Sequence, residues 1–143
     1  TLVSVPVLGI GEAAYHLASM VANKFTVITT LSRSMPGLES NLARYGLLQK
    51  CSRVRATEIP VLKLEEGDKS TLDKIRFEIR EAIKYDHAEA IVLGCAGMAD
   101  LVSMLSKEFG LPVIDGVAAG VTFAEALVNN KISTSKIGAY SLD

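Results

Sequence analysis

Two short apolar runs constrain the fold of this chain most. The runs "KFTVITT" at residues 24–30 and "AIVL" at residues 90–93 are nearly continuous in apolar character. A strand with one face in water alternates apolar and polar residues, whereas a strand buried on both faces reads as a nearly continuous apolar run. The two runs therefore predict central strands of a parallel sheet that helices cover on both sides.

Strand and helix patterns alternate around these runs. The predicted strands cover residues 3–10, 24–30, 54–62, 88–95 and 111–115, with a last strand starting within 136–141. The predicted helices cover residues 12–23, 31–46, 68–85, 97–109 and 116–130. Repeated strand–helix units with short links imply right-handed crossovers, so the predicted fold is a doubly wound α/β sheet. Ligands of such sheets bind at the carboxyl ends of the strands.

Size and charge exclude several classes of protein. The length of 143 residues indicates one α/β unit. The formal net charge of −1 argues against a basic surface for nucleic acid or for an anionic membrane. Apolar stretches are interrupted well before the roughly 18 residues of a membrane span, and because the sequence as given does not begin with a basic and then apolar segment, we expect no signal peptide. We expect a cytoplasmic protein with a small-molecule substrate and no membrane partner; a homo-oligomer is left open.

Cys95 stands where the "AIVL" strand ends and a helix pattern begins, flanked by Gly94 and Gly97. Helix N-termini can lower the pKa of a cysteine thiol from about 8.5 to roughly 3.5–7.5. The two glycines leave room for a substrate to approach the backbone, whose N–H groups can hold an oxygen anion. A buried structural cysteine is the competing interpretation. The residues alone leave the two open.

The second cysteine, Cys51, follows a helix end and precedes a strand, which is the wrong edge of the sheet for a ligand. No CxxC or Cys/His cluster indicates a metal site. The motif "GIGEAA" is similar to the dinucleotide fingerprint, but Thr29 and Thr30 stand where the acidic residue that holds a ribose is expected. We therefore expect no metal and no cofactor.

Polar residues follow the strand at 24–30. The hydroxyls of Thr29 and Thr30, with Ser32, Arg33 and Ser34, fit either a polar ligand or helix capping. At the end of a later strand, capping is the favoured role for Asp115. His16 and His87 have no catalytic partner nearby in the sequence, so neither is assigned a role.

Four stretches together resemble a known family. They are "PVLGIGEAAYHLA", "FTVITTLSRSMPGLESNLARYGL", "AIVLGCAGMADL" and "PVIDGVAAGV". In order and spacing they are similar to the aspartate/glutamate/hydantoin racemase superfamily, most closely to its hydantoin and allantoin racemase branch. The resemblance implies a cofactor-independent racemase with two flavodoxin-like lobes, the substrate between them and one catalytic cysteine on each lobe.

The resemblance also assigns roles to individual residues. Cys95 matches the second of the two catalytic cysteines, and the substrate-binding positions match Thr29, Thr30, Ala96 and Gly97. The glycine-rich setting adds Gly94 to these expected binding residues.

The chain departs from the family pattern at its start. The first catalytic cysteine belongs upstream of "PVLGIGEAA", and Thr1 lies only a few residues before that motif. We therefore expect either a fragment whose first lobe is missing, which the abrupt start favours, or a natural one-cysteine relic, and we expect a fragment alone to be inactive or nearly so. Residues of about 20–115 would form the second lobe, and residues 1–19 and 116–143 would cross to or belong to the first.

The leading hypothesis is a racemase of 5-substituted hydantoins or of allantoin that uses two-cysteine proton transfer. One alternative is an amino-acid racemase of the aspartate or glutamate type, although "GCAGM" lacks the polar Thr-Gly or Thr-His context usual near the cysteine of such enzymes. The other alternative is a non-catalytic module that binds a small molecule.

Overall fold

The computed structural model describes residues 3–60 and 69–141. Within these residues the sheet has four strands, which are β1 (Phe25–Thr29), β2 (Cys51–Ala56), β3 (Ala90–Leu93) and β4 (Val113–Asp115). All four are parallel, in the order β2-β1-β3-β4. Both central strands are buried along their whole length, as their apolar runs predict. This order is the flavodoxin-like one, in which the topology reverses between β1 and β3.

Five α-helices pack around the strands in the described part of the chain; the first precedes β1 and the last follows β4. They are α1 (Ile10–Val21), α2 (Met35–Arg44), α3 (Lys69–Tyr85), α4 (Val102–Phe109) and α5 (Gly116–Asn129). Short 3₁₀ helices lie at Ser32–Ser34, Ala96–Leu101 and Gly138–Tyr140. None of the described helices is both long and apolar enough to cross a membrane.

The side-chain period of two divides the core between the two faces of the sheet. Phe25 and Val27 pack with α1, α2 and α5 on one face, whereas Ile28 packs with α3 and α4 on the other. On α3 the buried residues Ile75 and Ile79 stand one turn apart, which is the spacing of an amphipathic helix. The doubly wound α/β prediction is confirmed.

Two predicted strands are wrong. Residues 3–9 form no strand, and α1 begins at Ile10. The segment is held to residues near 134 by isolated hydrogen bonds, such as the one that the Thr134 N–H donates to the Ser4 carbonyl at 2.8 Å. At the other end, the predicted strand start within 136–141 is the 3₁₀ helix Gly138–Tyr140. β-branched residues favour extended backbone, but a strand also needs a neighbour to pair with.

Several boundaries differ from the sequence prediction. Strand β2 begins at Cys51, earlier than the predicted residue 54, and ends at Ala56. The predicted tail of that strand at residues 61–62 lies outside the described residues, as does the predicted helix start at residue 68. The helix predicted over 97–109 begins as a 3₁₀ helix and becomes α-helical only at Val102.

Candidate functional site

A cavity of about 320 Å³ opens beside the carboxyl end of β3. Its walls are the end of β3, the first turns of α1 and α5, and one side of α2. This is the topological switch point, because α2 and α4 leave the neighbouring strands β1 and β3 on opposite faces of the sheet. The structure therefore places a cavity where the sequence predicted a ligand site.

Cys95 lines this cavity and is partly buried. It comes two residues after the end of β3, and its carbonyl accepts a hydrogen bond from the Met98 N–H at 3.2 Å, which begins the 3₁₀ helix. Its side chain also packs against the core beneath the α3 face of the sheet. The sequence predicted that Cys95 stands at the N-terminus of an α-helix. That prediction is wrong in detail, because a 3₁₀ helix follows Cys95 and the α-helix starts only at Val102.

Gly94 brings Cys95 close to the neighbouring strand. A Cβ at this position would lie 3.3 Å from both the Ile28 carbonyl oxygen and Cγ1 of Val27. The Gly94 N–H donates to the Ile28 carbonyl at 2.8 Å, so the end of β3 stays tied to β1. Both Gly94 and Ala96 line the cavity, and Gly97 follows within the 3₁₀ helix.

Two helix starts meet at the cavity. Gly9 and Ile10 at the start of α1 line it, and no side chain caps this helix. The first N–H groups of an uncapped helix lack intrahelical partners and attract negative charge. On α5, Asp115 Oδ1 accepts hydrogen bonds from the Val117 and Ala118 N–H groups at 2.8 and 2.9 Å, which confirms the predicted cap. The α1 start is therefore the freer site for an oxygen anion.

Thr29 and Thr30 lie at the end of β1 but do not line the cavity. Their exposed fractions are 3% and 5%, and their carbonyls accept hydrogen bonds from the N–H groups of Thr57 and Ile59. Cβ of Thr29 lies 3.5 Å from the position that a Cβ on Gly94 would take. The structure thus puts Thr29 directly behind the Cys95 segment, and a role for either threonine in binding substrate stays a prediction.

Cys51 is the first residue of β2, at the amino edge of the sheet, as predicted. Its Sγ donates to the Arg53 carbonyl at 3.3 Å, and the side chain packs against the core on the α1 face. Burial raises the pKa of the Cys51 thiol from 9.0 to about 11. Because β1, β2 and β3 run parallel, Cys51 and Cys95 occupy opposite edges of the sheet.

Comparison with known proteins now identifies the family. The family described as Asp/Glu/hydantoin racemase matches this chain over residues 1–124. The chain belongs to the Asp/Glu/hydantoin racemase family.

Three relatives show how much of the family fold is present. A hydantoin racemase from Rhizobium meliloti is 47% identical over 136 residues, which cover 95% of this chain and 56% of that protein. A hydantoin racemase from Pseudomonas sp. (strain NS671) is 44% identical, with 94% and 54% covered. An allantoin racemase structure from Klebsiella pneumoniae matches with a TM-score of 0.95 at 44% identity, covering 99% of this chain and 58% of that one. This racemase-family chain spans about half the length of these relatives.

Three polar residues of the site were missed from the sequence: Tyr15 on α1, and Asn41 and Tyr45 on or just after α2. Tyr15 is only 2% exposed, and its ring stacks on that of Phe25 with centroids 6.2 Å apart. Burial raises the pKa of Tyr15 from 10.0 to about 12, so its surroundings favour the neutral hydroxyl. One signal could have found Tyr15. It stands one turn after Gly11, and long helical side chains point back toward the N-terminus.

The cavity wall of this racemase-family chain is neutral. Among the described residues that line it, none has a charged side chain. Its polar groups are a thiol, two phenols, one carboxamide and backbone N–H groups of the α1 start. Such a wall can hold neutral polar groups and a delocalised oxygen anion, but it provides no side-chain counter-ion for an ammonium or carboxylate group.

Proposed function

We propose that this chain is one lobe of a cofactor-independent racemase that inverts the stereocentre of 5-substituted hydantoins or of allantoin. Cys95 is one of its two acid/base groups. The observation that carries the proposal is the position of Cys95 on the wall of the switch-point cavity, beside an uncapped helix start. Gly94, Ala96 and Gly97, together with Thr29 and Thr30, form the binding segments around it.

The reaction follows from proton transfer at a carbon beside a carbonyl. A cysteine thiolate removes the proton from C5, so the C–H bond breaks and an S–H bond forms. The electron pair spreads onto the carbonyl oxygen, which backbone N–H groups at the α1 start stabilise. A thiol on the opposite face then gives its proton to C5, which inverts the configuration. Cys95 performs one of these two steps for one enantiomer and the other step for its mirror image.

The second acid/base group cannot be Cys51, because that thiol lies at the opposite edge of the sheet. Family membership and the span of about half the relatives' length support a second lobe that supplies it. In this proposal residues of about 20–115 form the present lobe. Residues 1–19 and 116–143 include α1 and α5, which pack on the sheet of this lobe, and cross from there toward the other lobe. Exposed apolar side chains in these flanking segments support the assignment, among them Val5, Val7, Val121, Val128 and Ile137.

The neutral wall favours a hydantoin over an amino acid as the substrate. A hydantoin ring carries carbonyl and N–H groups without a formal charge, whereas an amino acid brings both an ammonium and a carboxylate group. Burying an unpaired charge is far more costly than burying a hydrogen-bonded neutral group. The same argument ranks the aspartate or glutamate racemase as the second candidate.

A panel of chiral substrates tests the proposal. The full-length two-lobe protein is incubated with single enantiomers of a 5-alkylhydantoin, allantoin, aspartate and glutamate, and optical rotation is followed in each. We expect decay of rotation with the hydantoin or allantoin and a steady signal with the amino acids. Decay confined to an amino acid would favour the second candidate, and a steady rotation with every compound would favour a non-catalytic binding module.

A further inference from the structure

We propose that Tyr15, Tyr45 and Asn41 form a subsite for a neutral hydrogen-bonding substituent on the substrate, such as a ureido or carboxamide group at C5 of a hydantoin. The inference rests on the proposed function and narrows it, because it chooses among 5-substituents. We call these three residues the phenol–amide wall.

The phenol–amide wall belongs to the same cavity as Cys95 but to different elements. Cys95 stands at the end of β3, whereas the wall comes from α1, from α2 and from the residue that follows α2. The Tyr15 hydroxyl lies 3.7 Å from the position that a Cβ on Gly11 would take. The Tyr45 hydroxyl lies 3.8 Å from the same position on Gly9. Both phenols therefore reach the α1 start, so a molecule with its stereocentre at Cys95 can extend toward them.

In the described part of the chain, the polar groups of this wall have no hydrogen-bond partner. Among the described residues, nothing forms a hydrogen bond with either phenol or with the Asn41 carboxamide. Every fully buried side-chain nitrogen or oxygen in the described part of the chain is hydrogen-bonded. The Tyr15 hydroxyl is therefore not sealed in the core, although the residue is 98% buried. Its remaining exposure faces the cavity that it lines.

The chemistry of the wall selects the ligand class. Each phenol donates one hydrogen bond and accepts others, and the carboxamide donates two and accepts two. A ureido or carboxamide group has the matching set of N–H donors and a carbonyl acceptor. An alkyl substituent would displace water from these groups and leave them without partners, which costs affinity. A carboxylate would meet no cationic side chain among the described lining residues.

A comparison of substrate preference tests the wall. For the full-length protein, kcat/KM is measured with allantoin, which carries a ureido group, and with 5-isobutylhydantoin, which is apolar. We expect allantoin to be preferred, and Tyr15→Phe to lower the allantoin-to-isobutyl ratio by about three- to tenfold, the worth of one hydrogen bond. The Phe ring keeps the stacking on Phe25. Tyr85→Phe, at a phenol that is 58% exposed on α3, is the matched control and should leave the ratio unchanged.

The ratio of the two kcat/KM values distinguishes loss of a substrate contact at the phenol–amide wall from loss of folded enzyme. A partly unfolded variant loses activity on both substrates equally, so its ratio does not move. An active enzyme that prefers 5-isobutylhydantoin, or a Tyr15→Phe ratio equal to that of the wild type, would overturn the wall while leaving the proposed function in place. Absence of activity on both hydantoins in the wild type would overturn the proposed function, and the wall with it.

Discussion

At the scale of single residues, burial gives the two cysteines different reactivity. Cys95 lines an open cavity, whereas Cys51 packs against the core and donates its thiol hydrogen to a backbone carbonyl. Only the thiolate is alkylated efficiently, and the pKa of Cys51, raised to about 11, leaves little thiolate near neutral pH.

Alkylation should therefore distinguish the two thiols. With iodoacetamide at pH 8, we expect Cys95 to be modified at least about tenfold faster than Cys51, because Cys95 lines the cavity, whereas Cys51 packs against the core and its raised pKa keeps it protonated. Peptide mapping by mass spectrometry over a time course gives both rates from one sample. Faster modification of Cys51 would contradict the burial described here.

Cys51 also makes stability depend on alkaline pH. Its pKa is raised in the folded protein, from 9.0 to about 11, so folding favours the protonated thiol. This contribution to stability is complete below about pH 9 and is lost as the pH rises toward 11. Urea unfolding at intervals across this range should show a smaller alkaline loss for Cys51→Ala than for the wild type. Cys95→Ala is the control, and parallel pH profiles for the wild type and Cys51→Ala would refute the assignment.

At the scale of elements, the cavity depends on how closely α1 and α5 approach. A Cβ on Gly116 would lie 2.8 Å from the Ile10 carbonyl oxygen, which is closer than real Cβ contacts. We expect Gly116→Ala to push the two helix starts apart and to cost about 1–3 kcal/mol of unfolding free energy.

The matched control is Gly37→Ala on α2, where a Cβ would meet nothing within 4 Å. That change should stabilise the protein by up to about 1 kcal/mol, since alanine is the better helix former. Urea denaturation compares both variants with the wild type. An unchanged or increased free energy of unfolding for Gly116→Ala would show that a Cβ at this position does not clash with the start of α1.

An ion-pair cluster docks α3 on the edge strand β2. The Arg55 guanidinium donates to both Asp86 carboxylate oxygens, at 2.6 and 2.9 Å, and to Glu78 at 3.1 Å. Its hydrogen bonds with Asp86, followed by those with Glu78, raise the pKa of Arg55. Thr26 on β1 also donates to Asp86, so three elements meet at one carboxylate whose side chain is 4% exposed.

Removal of that carboxylate should be strongly destabilising. Asp86→Ala leaves a largely buried guanidinium short of a partner, and we expect a loss of about 3–5 kcal/mol in the free energy of unfolding. Glu108→Ala, which breaks the more exposed pair with Arg76, is the control and should change stability little. Equal effects of the two substitutions in thermal or urea unfolding would count against the cluster's role.

The elements also show what the sequence can predict. The runs "FTVIT" and "AIVL" became the central strands because continuous apolar character requires burial on both faces. Residues 3–10 have similar β-branched character but form no strand, because local preference does not supply a neighbour to pair with. A strand depends on partners distant in sequence, whereas the amphipathic period of α3 is contained within the helix itself.

At the scale of the whole molecule, some site residues could be predicted from the order of elements, whereas others depend on how distant elements pack together. The residues Gly94, Cys95 and Ala96 could be placed at the cavity because the strand-end rule needs only the order of elements. Tyr45 and Asn41 could not, because their positions depend on how α2 rotates and packs on the sheet. Tyr15 has only one sequence signal, its place one turn after Gly11. Thr29 and Thr30 were correctly predicted to lie at the end of β1. Both are buried there and do not line the cavity, because burial depends on packing that the order of elements does not give.

The proposed reaction needs more than the present lobe. The cavity lies on one lobe, and inversion of a stereocentre needs acid/base groups on two faces of the substrate. A single lobe with one thiol accounts for proton exchange at one face only. Racemisation therefore requires Cys95 to exchange a proton with the stereocentre on its side of the substrate.

Exchange of the C5 proton in deuterated water measures that step directly. Loss of the proton signal of a 5-substituted hydantoin is followed by NMR with wild-type, Cys95→Ala and Cys51→Ala forms of the full-length protein, and the spontaneous rate is subtracted. Each enantiomer is measured separately. We expect Cys95→Ala to lower the exchange rate by at least about 100-fold, the contribution typical of an acid/base group, for the enantiomer whose proton Cys95 removes, and Cys51→Ala to keep the wild-type rate for both. Wild-type exchange of both enantiomers in Cys95→Ala would contradict a role for Cys95 in proton removal.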